Sequence, residues 1–254
     1  MPEGSVTQSP FDKEAFNAVC NKNYKGQCIF FLNAFWAEFQ AEAPRVWNVY
    51  KKFVELDNGN EEGKSLDTFS SNRLLEAFGQ TLTVIQLREE MAKVDQNDDK
   101  KMGPLEYLVY HYKVQIKELL SRPQGTDEEM EKANLALQKV QDEIDAIENQ
   151  KKKLQALAKG EDFKATRAKN ELAQLLAQDP LALNKAQVDA KAAVKKAQKS
   201  AGDNLTSQGQ LWWLQKQLEE AARYKPKGNL SSPAAFSPMI SPRGFGSASP
   251  TTPK

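Results

Sequence analysis

The sequence is short of the residues that most enzymes and extracellular scaffolds need. It has one histidine and two cysteines in 254 residues. An imidazole-based dyad could draw only on His111, which lacks a partner in any recognisable pattern. Cys20 and Cys28 have neither zinc nor redox spacing, and no second pair exists for a disulfide framework. Reduced thiols in a cytosolic chain are the simplest expectation. There is no Gly-rich phosphate loop and no nucleophile motif, so the chain is read as a non-enzyme. The longest apolar run, Cys28 to Trp36, falls well short of the roughly 20 residues that cross a bilayer. It also lacks the basic start and small-residue cleavage site of a signal peptide. A cytoplasmic protein with no membrane partner is expected.

What is present is charge, unevenly placed. Overall the chain carries a net +1, with 27% charged residues, ordinary for a soluble protein. Residues 1–120 hold 14 basic and 18 acidic side chains, whereas 151–227 hold 16 and 8, a net +8. A basic stretch joined to an acidic module points to an acidic partner for one end of the chain.

The first 122 residues read as a helical domain. Ser9-Pro10 is a helix start signal, with Ser as N-cap and Pro at the first helical position. A second helix is expected from about Gly26 through Phe39, rich in aromatics, and a third after Pro44 with Val46, Trp47, Tyr50 and Phe53. After a polar loop come helices near 67–78, 83–94 and 105–120. From Thr126 the texture changes. Thr126-Asp127-Glu128-Glu129 is a capping box. Met130, Ala133, Leu137, Val140, Ile144, Ile147, Lys151, Leu154 and Ala158 then follow heptad spacing, interrupted only at Lys151. Shorter helices are expected near 163–178 and 180–201, a polar break over 202–209, and a last amphipathic helix from Leu211 to Tyr224. The whole reads as an antiparallel helical bundle over 126–227, with an intermolecular coiled coil as the competing arrangement. Residues 228–254, dominated by Pro, Ser, Gly and Thr, read as a disordered tail. Ser232, Ser237, Ser241, Ser249 and Thr252 each precede proline there, in reach of proline-directed kinases.

One segment carries specific chemistry. Asp95-Gln96-Asn97-Asp98-Asp99-Lys100-Lys101-Met102-Gly103-Pro104-Leu105-Glu106 places oxygen donors where calcium needs them. Asp95, Asn97 and Asp99 occupy positions one, three and five, the Lys101 carbonyl position seven, and Glu106 the bidentate twelfth. This is an EF-hand loop, and Ca2+ is the expected cofactor. Lys100 stands where Gly usually supplies a left-handed turn, at a cost of order 1 kcal/mol. Met102 holds the apolar position that pairs with a neighbouring loop. That neighbour, Asp57 to Thr68, has Thr at position twelve, so it is expected to bind calcium weakly or not at all and to pair with the intact loop through Leu66. The fold class expected is therefore all-α: an N-terminal EF-hand pair with extra helices over 1–122, then the bundle and the tail.

Three stretches carry a family resemblance. They are Phe31-Leu32-Asn33-Ala34-Phe35-Trp36-Ala37-Glu38, then Val94 through Glu106 and on to Lys113, and finally Trp212-Trp213 followed by Leu218-Glu219-Glu220 and Arg223-Tyr224. Together they resemble the calcium-regulated actin-bundling proteins, over residues from about 11 to 227. The resemblance implies a C-terminal F-actin-bundling region, F-actin as partner, and crosslinking that calcium suppresses. Within the basic region, Lys151, Lys152, Lys153, Lys195, Lys196 and Lys199 are the candidate filament contacts, on a monomer or weak homodimer. The short joint Ser121 to Gly125 is expected to carry motion from the calcium loop into the bundle. Two other readings compete: a calcium sensor or adaptor docking a partner helix, and a basic helical protein binding nucleic acid. The first lacks a Met-rich groove, and the second leaves the calcium loop unexplained, so no nucleic-acid partner is expected.

Overall fold

A computed structural model describes residues 12–79, 83–125, 128–177, 180–202 and 204–224, apart from the side chains of Val84 and Leu87. The Ser9-Pro10 start, Thr126-Asp127 and the tail with its five Ser/Thr-Pro sites lie outside the described residues. Among the described residues the regular elements are helices: α1 Lys13–Cys20, α2 Tyr24–Ala34, α3 Trp36–Phe39, α4 Ala43–Leu56, α5 Thr68–Ala77 and α6 Val84–Val94. They continue as α7 Pro104–Tyr112, α8 Ile116–Ser121, α9 Glu128–Leu157, α10 Phe163–Ala177, α11 Leu181–Ala201 and α12 Gln208–Arg223. The fold is all-α, as expected, and no described helix is long and apolar enough to cross a membrane.

Caps explain several boundaries. Asp12 caps α1, its Oδ1 accepting from the Ala15 N–H at 2.9 Å. Asn23 caps α2 by accepting from Gly26 at 2.9 Å, and Thr83 with Gln86 forms a capping box on α6. Two expected helices are each broken in two. The 26–39 segment is interrupted at Phe35, whose ring lies 5.4 Å from Phe31 and 6.0 Å from Phe39. The Arg122 guanidinium covers the same ring at 4.6 Å. The 105–120 segment ends at Lys113, which turns left-handed (φ 53°) and returns its N–H to Val109 and Tyr110 carbonyls.

The packing forms two compact units: residues up to 150 together with 180–224, and residues 151–177. The first unit holds two apolar clusters. One gathers Phe16, Tyr24, Phe31, Leu32, Val46, Trp47, Phe53, Leu74, Leu105, Leu108 and Leu119. The other gathers Met130, Ala133, Leu137 and Val140 of α9 with Leu183, Ala190, Val194 and Ala197 of α11. The heptad seam of α9 is thus buried within one chain over this stretch, rather than left for a coiled-coil partner. Helix α12 serves both clusters, with Trp213 in the first and Leu211 and Leu214 in the second. The Trp213 ring sits 4.6 Å from Trp47 and 5.2 Å from Tyr50, edge-on to both.

The expected polar break at 202–209 ends earlier than the sequence indicates, because Gly209 is inside α12. A Cβ there would lie 2.7 Å from the Asn33 nitrogen and from the Leu32 carbonyl carbon, both backbone atoms of α2. The glycine is what lets the two helices touch. Gly209→Ala at an ordinary helical site would gain about 1 kcal/mol. Here overpacking against a fixed backbone outweighs that gain, and a net loss of about 1–2 kcal/mol is expected in urea unfolding.

Candidate functional site

The segment between α6 and α7 folds as a tight oxygen-lined loop. Asp98 and Lys100 both take left-handed backbone angles, with φ of 64° and 60°, so Lys100 adopts the turn that glycine usually provides. The side chains expected as ligands turn inward onto the loop's own amides. Asp95 Oδ1 accepts from the Asp99 N–H at 3.1 Å, and Asp95 Oδ2 from Lys100 at 2.8 Å. Asn97 Oδ1 accepts from Asp99 at 2.9 Å, and Asp99 Oδ1 from Lys101 at 2.8 Å. These bonds organise the acidic side chains, because each carboxylate offset by an N–H dipole repels its neighbours less.

Glu106 is the most constrained member. Its side chain is on α7 with the residue only 1% exposed. Oε2 accepts from the Gly103 N–H at 2.9 Å and Oε1 from Gln96 at 3.2 Å. Burial pushes its pKa up to about 7, and the nearby Asp99 and Asp95 charges add to the rise against the two N–H donors. The donor set, all oxygen and including three carboxylates, has the chemistry a hard divalent cation requires. In the conformation described, no three His, Cys, Asp or Glu side chains among the described residues stand close enough to share an ion.

The neighbouring loop pairs with this one. The Leu66 N–H donates to the Met102 carbonyl at 2.9 Å and the Met102 N–H to that of Leu66 at 3.0 Å. Its first residue, Asp57, is already engaged: Oδ2 accepts from the Tyr24 hydroxyl at 2.9 Å and from Asn60 at 3.0 Å. Helix α1 lies against the acidic loop, with Lys13 Nζ 2.6 Å from Asp98. Both cysteines are free, and burial raises the Cys20 and Cys28 thiols well above the usual range.

Sequence pattern did not single out Gln27, which is fully buried. Its Nε2 donates to the carbonyls of Cys20, Lys22 and Lys64 at 2.7–2.9 Å, and its Oε1 accepts from the Leu105 N–H at 3.1 Å. It ties α2 to both loops at once. Gly103, at loop position nine, has no room for a side chain because a Cβ would meet Gln27 Oε1 at 2.8 Å.

The basic candidates fall in different units. Lys152 and Lys153 are exposed and Lys151 partly so, in the 151–177 unit, whereas Lys195, Lys196 and Lys199 are exposed on α11. His111 stacks on Tyr107 with ring centroids 5.6 Å apart, a packing role.

The raised pKa of Glu106 gives a signed prediction. A group that holds its proton more tightly when folded contributes stability that is full below its unfolded pKa, near 4.5. That contribution is lost as pH rises through 7. Without calcium, unfolding stability should therefore fall by roughly 1–3 kcal/mol between pH 5 and pH 8 from this group. Urea midpoints across that range should show the fall, and Glu106→Gln should flatten it.

Comparison with known proteins agrees with this fold. The family described as F actin bundling C terminal matches residues 51–228. A calcium-regulated actin-bundling protein of Dictyostelium discoideum is 31% identical, over 84% of this chain and 89% of the relative. The crystal structure of a 34 kDa F-actin bundling protein from the same organism superposes with a TM-score of 0.76 at 30% identity, over 85% of this chain and 97% of that one. Both relatives are named for bundling and neither for a catalysed reaction. With more than half of its length in the matched region and helices of the same arrangement, the chain belongs to the F-actin-bundling family.

Proposed function

We propose that this chain is a cytoplasmic, calcium-regulated F-actin-bundling protein of the actin cytoskeleton. The observation that carries the reading is family membership over most of the chain, joined to an intact twelve-residue acidic loop. In this reading residues 1–122 sense calcium, 126–227 crosslink filaments, and 228–254 form a regulatory tail. The side chains of Asp95, Asn97 and Asp99, the Lys101 carbonyl and both oxygens of Glu106 would hold the ion. When bound, calcium would supply two positive charges against three carboxylates and so offset most of their mutual repulsion.

The chain's own residues do the rest. Glu106 would have to give up its proton to serve as a ligand, so calcium affinity is expected to rise with pH near 7. Met102 and Leu66 hold the two loops together. The net +8 of residues 151–227 supplies long-range attraction to an acidic filament. Lys151, Lys152, Lys153, Lys195, Lys196 and Lys199 are the proposed contacts. Crosslinking needs two filament contacts, from one chain or from a weak homodimer. Phosphates on Ser232, Ser237, Ser241, Ser249 and Thr252 would each add about −1.5 to −2 charge and compete for these lysines.

The test is co-sedimentation with F-actin at low and high speed, with and without calcium. The unmodified chain is expected to pellet filaments at low speed only without calcium. Glu106→Gln should bundle in both conditions and lose most calcium binding, while Asp57→Asn should change neither. Failure of the full chain to pellet with F-actin at low salt would reject the reading.

A further inference from the structure

Among the described residues, five polar side chains belong to buried residues: Gln27, Asn33, Ser71, Glu106 and Ser207. A polar group is buried without loss only where partners are fixed, so these mark the places where the fold sets position most narrowly. They gather at two locations. Gln27, Ser71 and Glu106 bond to or within the paired loops, Ser71 donating to the Leu66 carbonyl. Asn33 and Ser207 belong to the start of α12, where Asn33 Oδ1 accepts from the Gln210 N–H at 2.9 Å. One helix, α2, carries a member of each group.

Helix α2 is suited to join them. Seven of its eleven residues are buried and none is fully exposed, so most of its surface is fixed by packing. Gln27 and Asn33 are six residues apart, which sets them about 9 Å along the axis and about 240° around it. One side therefore plugs the loops while another receives α12. At the sensing end, Gln27 Oε1 holds the N–H of Leu105, the residue immediately before Glu106. Any change in how Glu106 is held reaches Gln27 through one peptide unit. At the other end Gly209 rests on the Leu32 and Asn33 backbone without a spacer.

The joint expected to act as the lever is itself fastened to this helix. Arg122 Nη1 donates to the Ala34 carbonyl at 3.1 Å and Gln124 Nε2 to that of Phe30 at 3.3 Å. The Gly125 N–H donates to the Thr206 carbonyl at 3.1 Å. The joint has little freedom to move apart from α2.

We propose that α2 couples the calcium loop to the bundling region, with Gln27 as the positioning residue at the loop and Asn33 as the one that transmits its position to α12. The inference rests on the calcium-regulated bundling reading and adds the route by which control passes. It assigns coupling to a buried helix ahead of the acidic loop, rather than to the helix that leaves it.

The experiment uses the full chain, unmodified and as Asn33→Ala and Gln27→Leu, with calcium calorimetry beside F-actin co-sedimentation. In the unmodified chain, the ratio of F-actin affinity without and with calcium is expected in the range of about 5–150-fold, typical of such couplings. Asn33→Ala should keep calcium affinity within about threefold while that ratio falls toward 1, a split that loss of stability alone does not produce. Gln27→Leu should lower calcium affinity by about tenfold or more, in line with loss of an outer-shell partner. Should either variant fail to fold, hydrogen exchange on the unmodified chain decides: calcium must change protection at both Leu105 and Gln210. Full calcium control in a folded Asn33→Ala, or a calcium effect at Leu105 without one at Gln210, overturns the inference and leaves the function intact. Absence of calcium binding by the unmodified chain overturns both.

Discussion

The close contact between α2 and α12 joins the two apolar clusters of the first unit. It exists because residue 209 is glycine: any side chain would strike backbone at 2.7 Å. Close approach then brings Trp213 against Trp47 and Tyr50, completing the first apolar cluster with a residue from the far end of the sequence. The opposite side of α12 closes the second cluster through Leu211 and Leu214. Trp47 Nε1 and Lys51 Nζ both reach Glu220, at 2.9 and 2.8 Å, extending the same junction toward solvent. The exposed ion pair contributes little by itself. The buried aromatic area, at about 25 cal/mol per Å², dominates.

The acidic loop lives under the opposite pressure. Burial and mutual repulsion disfavour the charge on Glu106, and the backbone amides of Gly103 and Gln96 only partly offset it. A left-handed lysine adds a cost of order 1 kcal/mol. A loop under this strain gains most from a cation that relieves it. Its attachment through Leu105 to Gln27 gives α2 a direct hydrogen bond to the loop.

The elements visible in the sequence are those whose signals are local. Helix α9 was legible from a heptad seam sustained over several turns, and the loop from donors at fixed offsets. The breaks at Phe35 and Lys113 were not: Phe35 packs under an Arg122 side chain from another element, and Lys113 turns left-handed without being glycine. Gly209 reads as a loop residue until its tertiary neighbour is known. Neither Gln27 nor Asn33 signalled its bonding role, since their decisive partners lie 78 and 177 positions away. Propensity and periodicity describe a helix and its faces, but not which buried amide a distant backbone group requires.

Coupling between calcium in the acidic loop and filament contact is open to test by thermodynamic linkage. If calcium weakens F-actin binding by some factor, F-actin must weaken calcium binding by the same factor. The direct measurement is a calcium titration of the full chain, free and saturated with F-actin, at one salt concentration and corrected for the ions that F-actin binds alone. Calcium affinity should be lower on the filament, by a factor equal to the loss of F-actin affinity measured with calcium. Identical calcium affinities in the two titrations would contradict the account.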